Sequence, residues 1–151
     1  MIRKARPEDL PAITQVRISV TENHLSVEQM AERGITPESV IAEMAAGDLG
    51  AWVCEAKGEV VGFSMADRRD ASIFALFTKP GCEGRGYGSQ LLAEAETWLA
   101  AFGHREFWLS TARGSRAEKF YARKGWMPAD ETAEAPDDII FRKKIPLRCR
   151  C

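Results

Sequence analysis

The chain has 151 residues, of which 45% are apolar and 28% charged, the size and balance of one globular domain, so residues 1–151 are expected to form a single unit. Lys and Arg total 21 against 22 Asp and Glu, a net charge of −1, which supplies no global field for a polyanion and argues against nucleic-acid binding by bulk charge. Apolar runs are far shorter than the roughly 20 residues that cross a bilayer, and the N-terminal segment has no apolar signal core, so a cytoplasmic protein without a membrane partner is expected.

Ile2 to Ala5 reads as a first strand, after which Pro7 opens a helix with Leu10, Ile13, Val16 and Val20 at helical spacing. A second helix starts at Thr36-Pro37-Glu38, a cap, a first-turn proline and an acid at the positive dipole end. Its apolar face is Val40, Ile41 and Met44, and Gly47 ends it. Ala51 to Ala56 and Glu59 to Ala66 read as strands joined by the Lys57-Gly58 turn, with Val61, Phe63 and Met65 expected on one face. Asp67 to Asp70 is a polar turn, and Ser72 to Thr78 is an almost continuous apolar run, expected to be buried on both faces. Leu91, Leu92, Ala95, Trp98, Leu99 and Phe102 form one stripe of a long helix. Glu106 to Thr111 reads as another buried strand, and Ser115 to Lys124 as a short helix with a Ser115/Glu118 capping box and Gly125 after it. Ala129 to Asp138 is an acidic loop and Ile139 to Ile145 the last strand. The order β-αα-βββ-α-β-α-ββ describes a mixed α/β domain with a central sheet.

Of the four cysteines, Cys54 lies in an alternating apolar stretch, Cys82 in a glycine-rich loop, and Cys149 and Cys151 in a Cys-Arg-Cys ending with Arg150. No CxxC pair is present and His24 and His104 stand apart from the cysteines, so free thiols and no metal site are expected. The ending is similar to the double-prenylation signal of small GTPases, which nothing else in the chain resembles.

Gly81-Cys82-Glu83-Gly84-Arg85-Gly86-Tyr87-Gly88 lies between a strand and a helix. Glycines there turn the backbone tightly and aim N–H groups outward, and the helix dipole adds positive charge, which makes a phosphate cradle. No Lys-Ser/Thr follows the last glycine, which excludes a Walker loop, and Ser89 stands where a dinucleotide fingerprint needs its third glycine.

Leu76-Phe77-Thr78-Lys79-Pro80, followed by the loop ending Gly84-Arg85-Gly86-Tyr87-Gly88, resembles the acyl-CoA motif of GNAT-superfamily N-acetyltransferases. Ala117-Glu118-Lys119-Phe120-Tyr121 with Gly125-Trp126 is similar to that family's Ala-x-x-Phe/Leu-Tyr-x-x-x-Gly-Phe signature. The element order matches as well, so the resemblance covers most of the chain. It implies the acyl-CoA N-acyltransferase fold, a mostly antiparallel, splayed central sheet flanked by helices. It also implies acetyl-CoA as co-substrate without a metal, and a small-molecule primary amine attacking it directly in a ternary complex. The cofactor would be held by Leu76, Phe77, Thr78, Gly84, Arg85, Gly86, Tyr87, Gly88 and Ser89, its pantetheine arm pairing with the Leu76–Thr78 strand edge, whose amides would also steady the oxyanion. Tyr121 falls at the family's general-acid position.

The chain departs from the pattern at three places. The Gln/Arg position of the loop is Glu83, expected to turn away and leave Arg85 as the side-chain aid. Gly114 replaces an Asn that contacts the CoA arm, and the strand glutamate that serves some members as base falls near Ser110, which cannot do that job. A Lys-like amine with a pKa near ~10.4 must lose its proton at a cost of roughly 4.6 kcal/mol at pH 7. Glu22, His24, Asp67, Asp70 and water chains are open as the base. Two other readings stand beside the enzyme: a non-catalytic acyl-CoA-binding or regulatory domain, and a peptide or protein N-acetyltransferase; a homodimer is left open. The loop acids Asp130, Glu131, Glu134, Asp137 and Asp138, with Glu22, suggest a cationic acceptor, or else they neutralise Arg142, Lys143, Lys144, Arg148 and Arg150.

Overall fold

The computed structural model describes residues 1–20, 26–133 and 137–145. Strand β1 (Ile2–Lys4) leads through a 3-10 turn, Pro7–Asp9, into helix α1 (Leu10–Ser19), followed by α2 (Val27–Glu32) and α3 (Pro37–Ala45). Strands β2 (Leu49–Ala56), β3 (Glu59–Asp67) and β4 (Ser72–Thr78) come next, then α4 (Tyr87–Ala101), β5 (Glu106–Ala112), α5 (Arg116–Arg123), β6 (Met127–Pro128) and β7 (Asp138–Lys144). They form one sheet in the order β1-β2-β3-β4-β5-β7-β6. Every neighbouring pair is antiparallel except β4 and β5. This is the expected mixed α/β architecture with its largely antiparallel sheet. Among the described residues no helix is long and apolar enough to cross a membrane.

The sheet separates two layers of core. On one face Leu91, Leu92, Ala95 and Leu99 of α4 and Tyr121 of α5 pack with Cys54, Ile73, Phe107 and Trp126. On the other, Leu10, Ile13 and Val16 of α1 and Val40 of α3 pack with Val53, Phe63 and Met65. Asp9 fixes the entry to α1. It is buried, takes two hydrogen bonds from the Arg3 guanidinium of β1 (2.8 and 2.9 Å) and accepts the Arg6 N–H at 2.7 Å. Arg3 also donates to Glu55 on β2. These bonds, chiefly the one from Arg3, hold the Asp9 carboxyl at about 2, below the usual carboxylate range.

Several local expectations are corrected. Helix α2, capped by Ser26 and Gln29, spans only six residues, too few to print an apolar period in the sequence. Val61 does not share a face with Phe63 and Met65: it belongs to the α4 layer, and they to the α1 layer. The cause is a bulge, for Cys54 pairs with Gly62 but Glu55 with Val60, so Val61 is the extra residue that reverses the alternation. A second bulge at Met65/Ala66 makes Phe74 the extra residue of β4. Strand β4 is therefore not buried on both faces. Only Ser72 and Ile73 are buried, Phe74 is 44% exposed, and the rest is half-buried. Strand β5 alternates, with Phe107, Leu109 and Thr111 buried and Ser110 exposed. Phe102, placed on the α4 stripe by its spacing, caps the helix end and is 48% exposed beneath the Arg68 guanidinium. Half of the expected capping box forms on α5: Ser115 Oγ accepts the Glu118 N–H at 3.2 Å, while the Glu118 carboxylate takes the Gly114 N–H at 3.3 Å instead.

Candidate active site

Strands β4 and β5 meet at one register pair, Ser72 with Trp108, and part beyond it. From that divergence opens a cavity of about 1590 Å³, bordered by β4, by α1 and the turn before α3, and by the glycine loop and α5. The β4 ladder settles which backbone groups face it. The Lys79 N–H donates to the Val61 carbonyl at 2.7 Å, so the opposed pair Gly62/Thr78 is of the non-hydrogen-bonded kind. Alternation along the ladder then commits Phe77 and Ala75 to β3 and points the N–H and C=O of Leu76 and Thr78 away from it, toward the open side. The two residues form a free strand edge inside the sheet. Phe77 borders the same cavity, its ring packed on Phe63 in the α1 layer with the Arg17 guanidinium 4.0 Å above it.

At the end of β4 the loop turns through left-handed glycines, and Gly86 (φ 82°) is the N-cap of α4. A side chain there would be strained by the backbone although a Cβ would meet nothing within 4 Å. Gly84, Gly86, Tyr87, Gly88 and Ser89 border the cavity, and Arg85 does not. Glu83 borders the cavity too and folds back onto its own loop. Its carboxylate accepts the Gly81 N–H at 2.8 Å, with Arg116 3.8 Å off. Its own backbone N–H and that of Gly81 hold the carboxyl below its ordinary range.

Tyr121 borders the same cavity from α5. It is buried against Phe120, Trp126 and Phe141, with ring centroids 5.3 to 6.3 Å apart. Burial pushes its phenol well above the ordinary value, so it holds its proton.

Of the expected bases, Glu22 and His24 lie outside the described residues. Asp67 and Asp70 border the cavity. Asp67 is bound by Arg69 at 2.8 and 2.9 Å, and that bond lowers its carboxyl; Asp70 accepts the Ser72 N–H at 3.1 Å. The described acids of the acidic segment are used differently from one another. Glu131 grips Arg142 (2.5 and 2.9 Å), Glu134 lies outside the described residues, and Asp138 is the described member that borders the cavity. Glu106 and Glu96 neutralise Arg142 and Lys143 further. Burial raises the Asp138 carboxyl. The sequence reading also left out Arg17 and Arg33, both on the cavity wall. Arg17 follows Ile13 by four residues, so a cation stands on the buried stripe of α1, and that was the available signal.

A family model described as the acetyltransferase (GNAT) family matches residues 17–126. An uncharacterized N-acetyltransferase of Mycobacterium bovis is 32% identical over 73 residues, covering 46% of this chain and 47% of that protein. A counterpart in Mycobacterium tuberculosis matches to the same extent. The chain thus spans about half the length of the curated relatives it matches. The PaiA N-acetyltransferase of Thermoplasma acidophilum, solved in complex with coenzyme A, superposes with a TM-score of 0.78 at 23% identity, covering 95% of this chain and 98% of that one. A GNAT-family acetyltransferase of Desulfovibrio desulfuricans gives 0.79 at 19% identity, covering 97% and 99%. At these identities the likeness is one of fold.

Proposed function

Because this chain belongs to the acetyltransferase (GNAT) family, we propose that it moves an acetyl group from acetyl-CoA to the primary amine of a small molecule, by direct attack within a ternary complex. The observation that carries the reading is the free edge of Leu76 and Thr78, which lies in one cavity with the glycine loop and with Tyr121. These residues fit acetyl-CoA. An amide-bearing arm needs backbone partners, and the edge offers them. A diphosphate needs N–H donors at a helix N-terminus, and the residues from Gly84 to Ser89 provide them at the start of α4. When bound, acetyl-CoA supplies the activated acetyl thioester.

The chain's own groups do the rest. The edge amides orient the acyl carbonyl and polarise it. Tyr121, a phenol and so protonated at neutral pH, holds a proton at the hydroxyl for the departing sulfur, and burial keeps it from ionising beforehand. Asp138 accepts the amine proton. Its raised carboxyl makes it a better base than Asp67, which is tied to Arg69.

A binding-only reading draws support from Glu83, whose carboxylate already sits on a loop N–H. Mixing the protein with acetyl-CoA and a panel of amines and peptides separates the two. Free thiol is expected with a small amine, and Tyr121→Phe should lower kcat about 10²-fold with CoA affinity unchanged. CoA binding without thiol release from any acceptor would leave the binding-only reading standing.

A further inference from the structure

Resting on that reading, we propose that the end of α5 carries a subsite for the phosphate monoester on the ribose of the cofactor, with Arg123 and Lys124 as its cations. Coenzyme A bears two anionic groups, a diphosphate and, one ribose away, a phosphate monoester. The N–H donors at the start of α4 suit the first. The monoester carries about two negative charges at neutral pH and calls for cations.

The glycine loop brings no cation to the cavity. Arg85 stands off the cavity wall, and Glu83, which stands on it, is an acid. Helix α5 does bring them. Arg116, Phe120 and Arg123, with Lys124 at the C-cap, recur at helical spacing and border the cavity, while the exposed Lys119 does not. The one carboxylate of α5, Glu118, is turned to the Gly114 N–H at 3.3 Å, so the cavity face of the helix presents no acid.

Three contacts tie this face to the loop donors. Arg116 approaches Glu83 to 3.8 Å, which holds the start of α5 to the loop. A Cβ placed on Gly88, in the first turn of α4, would lie 3.5 Å from Phe120 Cζ. The Lys124 Nζ in turn lies 5.8 Å from the centre of that ring. One aromatic ring separates the cradle from the cation, as one ribose separates the two phosphates. Arg123 and Lys124 are both exposed, and neither forms an ion pair among the described residues, so their charges are open to a ligand.

Calorimetric titration with CoA and with dephospho-CoA, which lacks only the ribose phosphate, tests the subsite. At low ionic strength CoA should bind about tenfold or more tightly, the worth of a charge-assisted contact. Replacing both cations, Arg123→Gln with Lys124→Gln, should make the two affinities equal by weakening CoA alone. Retained binding of dephospho-CoA shows that this variant is folded. Lys119→Gln, on the same helix but off the cavity, should leave the preference as it was. Equal affinities in the parent, or a preference that survives the double substitution, would overturn the subsite. So would an equal loss in Lys119→Gln, because the charge of the whole helix would then be responsible. Binding of neither nucleotide would remove the cofactor reading and the subsite with it. Equal binding of both, with thiol released from acetyl-CoA, would remove the subsite alone.

Discussion

Glu83 places a negative charge where the proposed reading needs a diphosphate to approach. Its carboxylate satisfies the Gly81 N–H at 2.8 Å and is held ionised by the loop's own backbone. Glutamine at this position can still accept that N–H but carries no charge. Glu83→Gln is therefore expected to strengthen CoA binding several-fold at low ionic strength, with the gain shrinking as salt is added. Calorimetry at two salt concentrations checks it, and equal affinities at low salt would mean that Glu83 does not face the diphosphate. At this scale the sequence was legible where glycines and motif residues declare a shape. Arg17 was harder to recognise as a cavity group, and Asp138 could not be told apart from the other loop acids, because which residues reach the cavity depends on segments far apart in the chain that the fold brings together.

The elements themselves could be read wherever one residue governs a short stretch of chain. Thr36 caps α3 by accepting the Ser39 N–H at 3.1 Å, and Lys57 and Gly58, both with positive φ, turn the β2–β3 hairpin. The bulges at Val61 and Phe74 could not be read, since an inserted residue looks like any other apolar residue until its partner strand is known. The join between β1 and α1 yields a stability prediction. The Asp9 carboxyl is lowered to about 2 in the folded chain, so its contribution is present above the unfolded value and is lost as pH falls toward 2. Asp9→Asn should cost about 2 kcal/mol at neutral pH. The gap to the parent protein should close between about pH 4 and pH 2 in urea unfolding curves. A variant as stable as the parent at pH 7 would show that the Arg3 contact contributes nothing net.

Across the whole molecule the sheet is continuous in order but joined between β4 and β5 by the single pair Ser72/Trp108. Hydrogen exchange should expose this. The amides of Leu76 and Thr78 should exchange quickly in the free protein, although they lie in mid-sheet, and slowly once CoA is bound. Those of Ala75 and Phe77, committed to β3, should be protected in both states. Protection of Leu76 and Thr78 that ignores CoA would place the cofactor arm elsewhere.

The parted strands also bear on how long such a molecule survives. If a bound arm acts as the missing strand, the ligand becomes part of the architecture, and folding free energy rises with its concentration, by about 2.7 kcal/mol at a hundred times Kd. A protease that attacks transiently opened chains would then remove the starved population first. The gap between β4 and β5 would make abundance track supply.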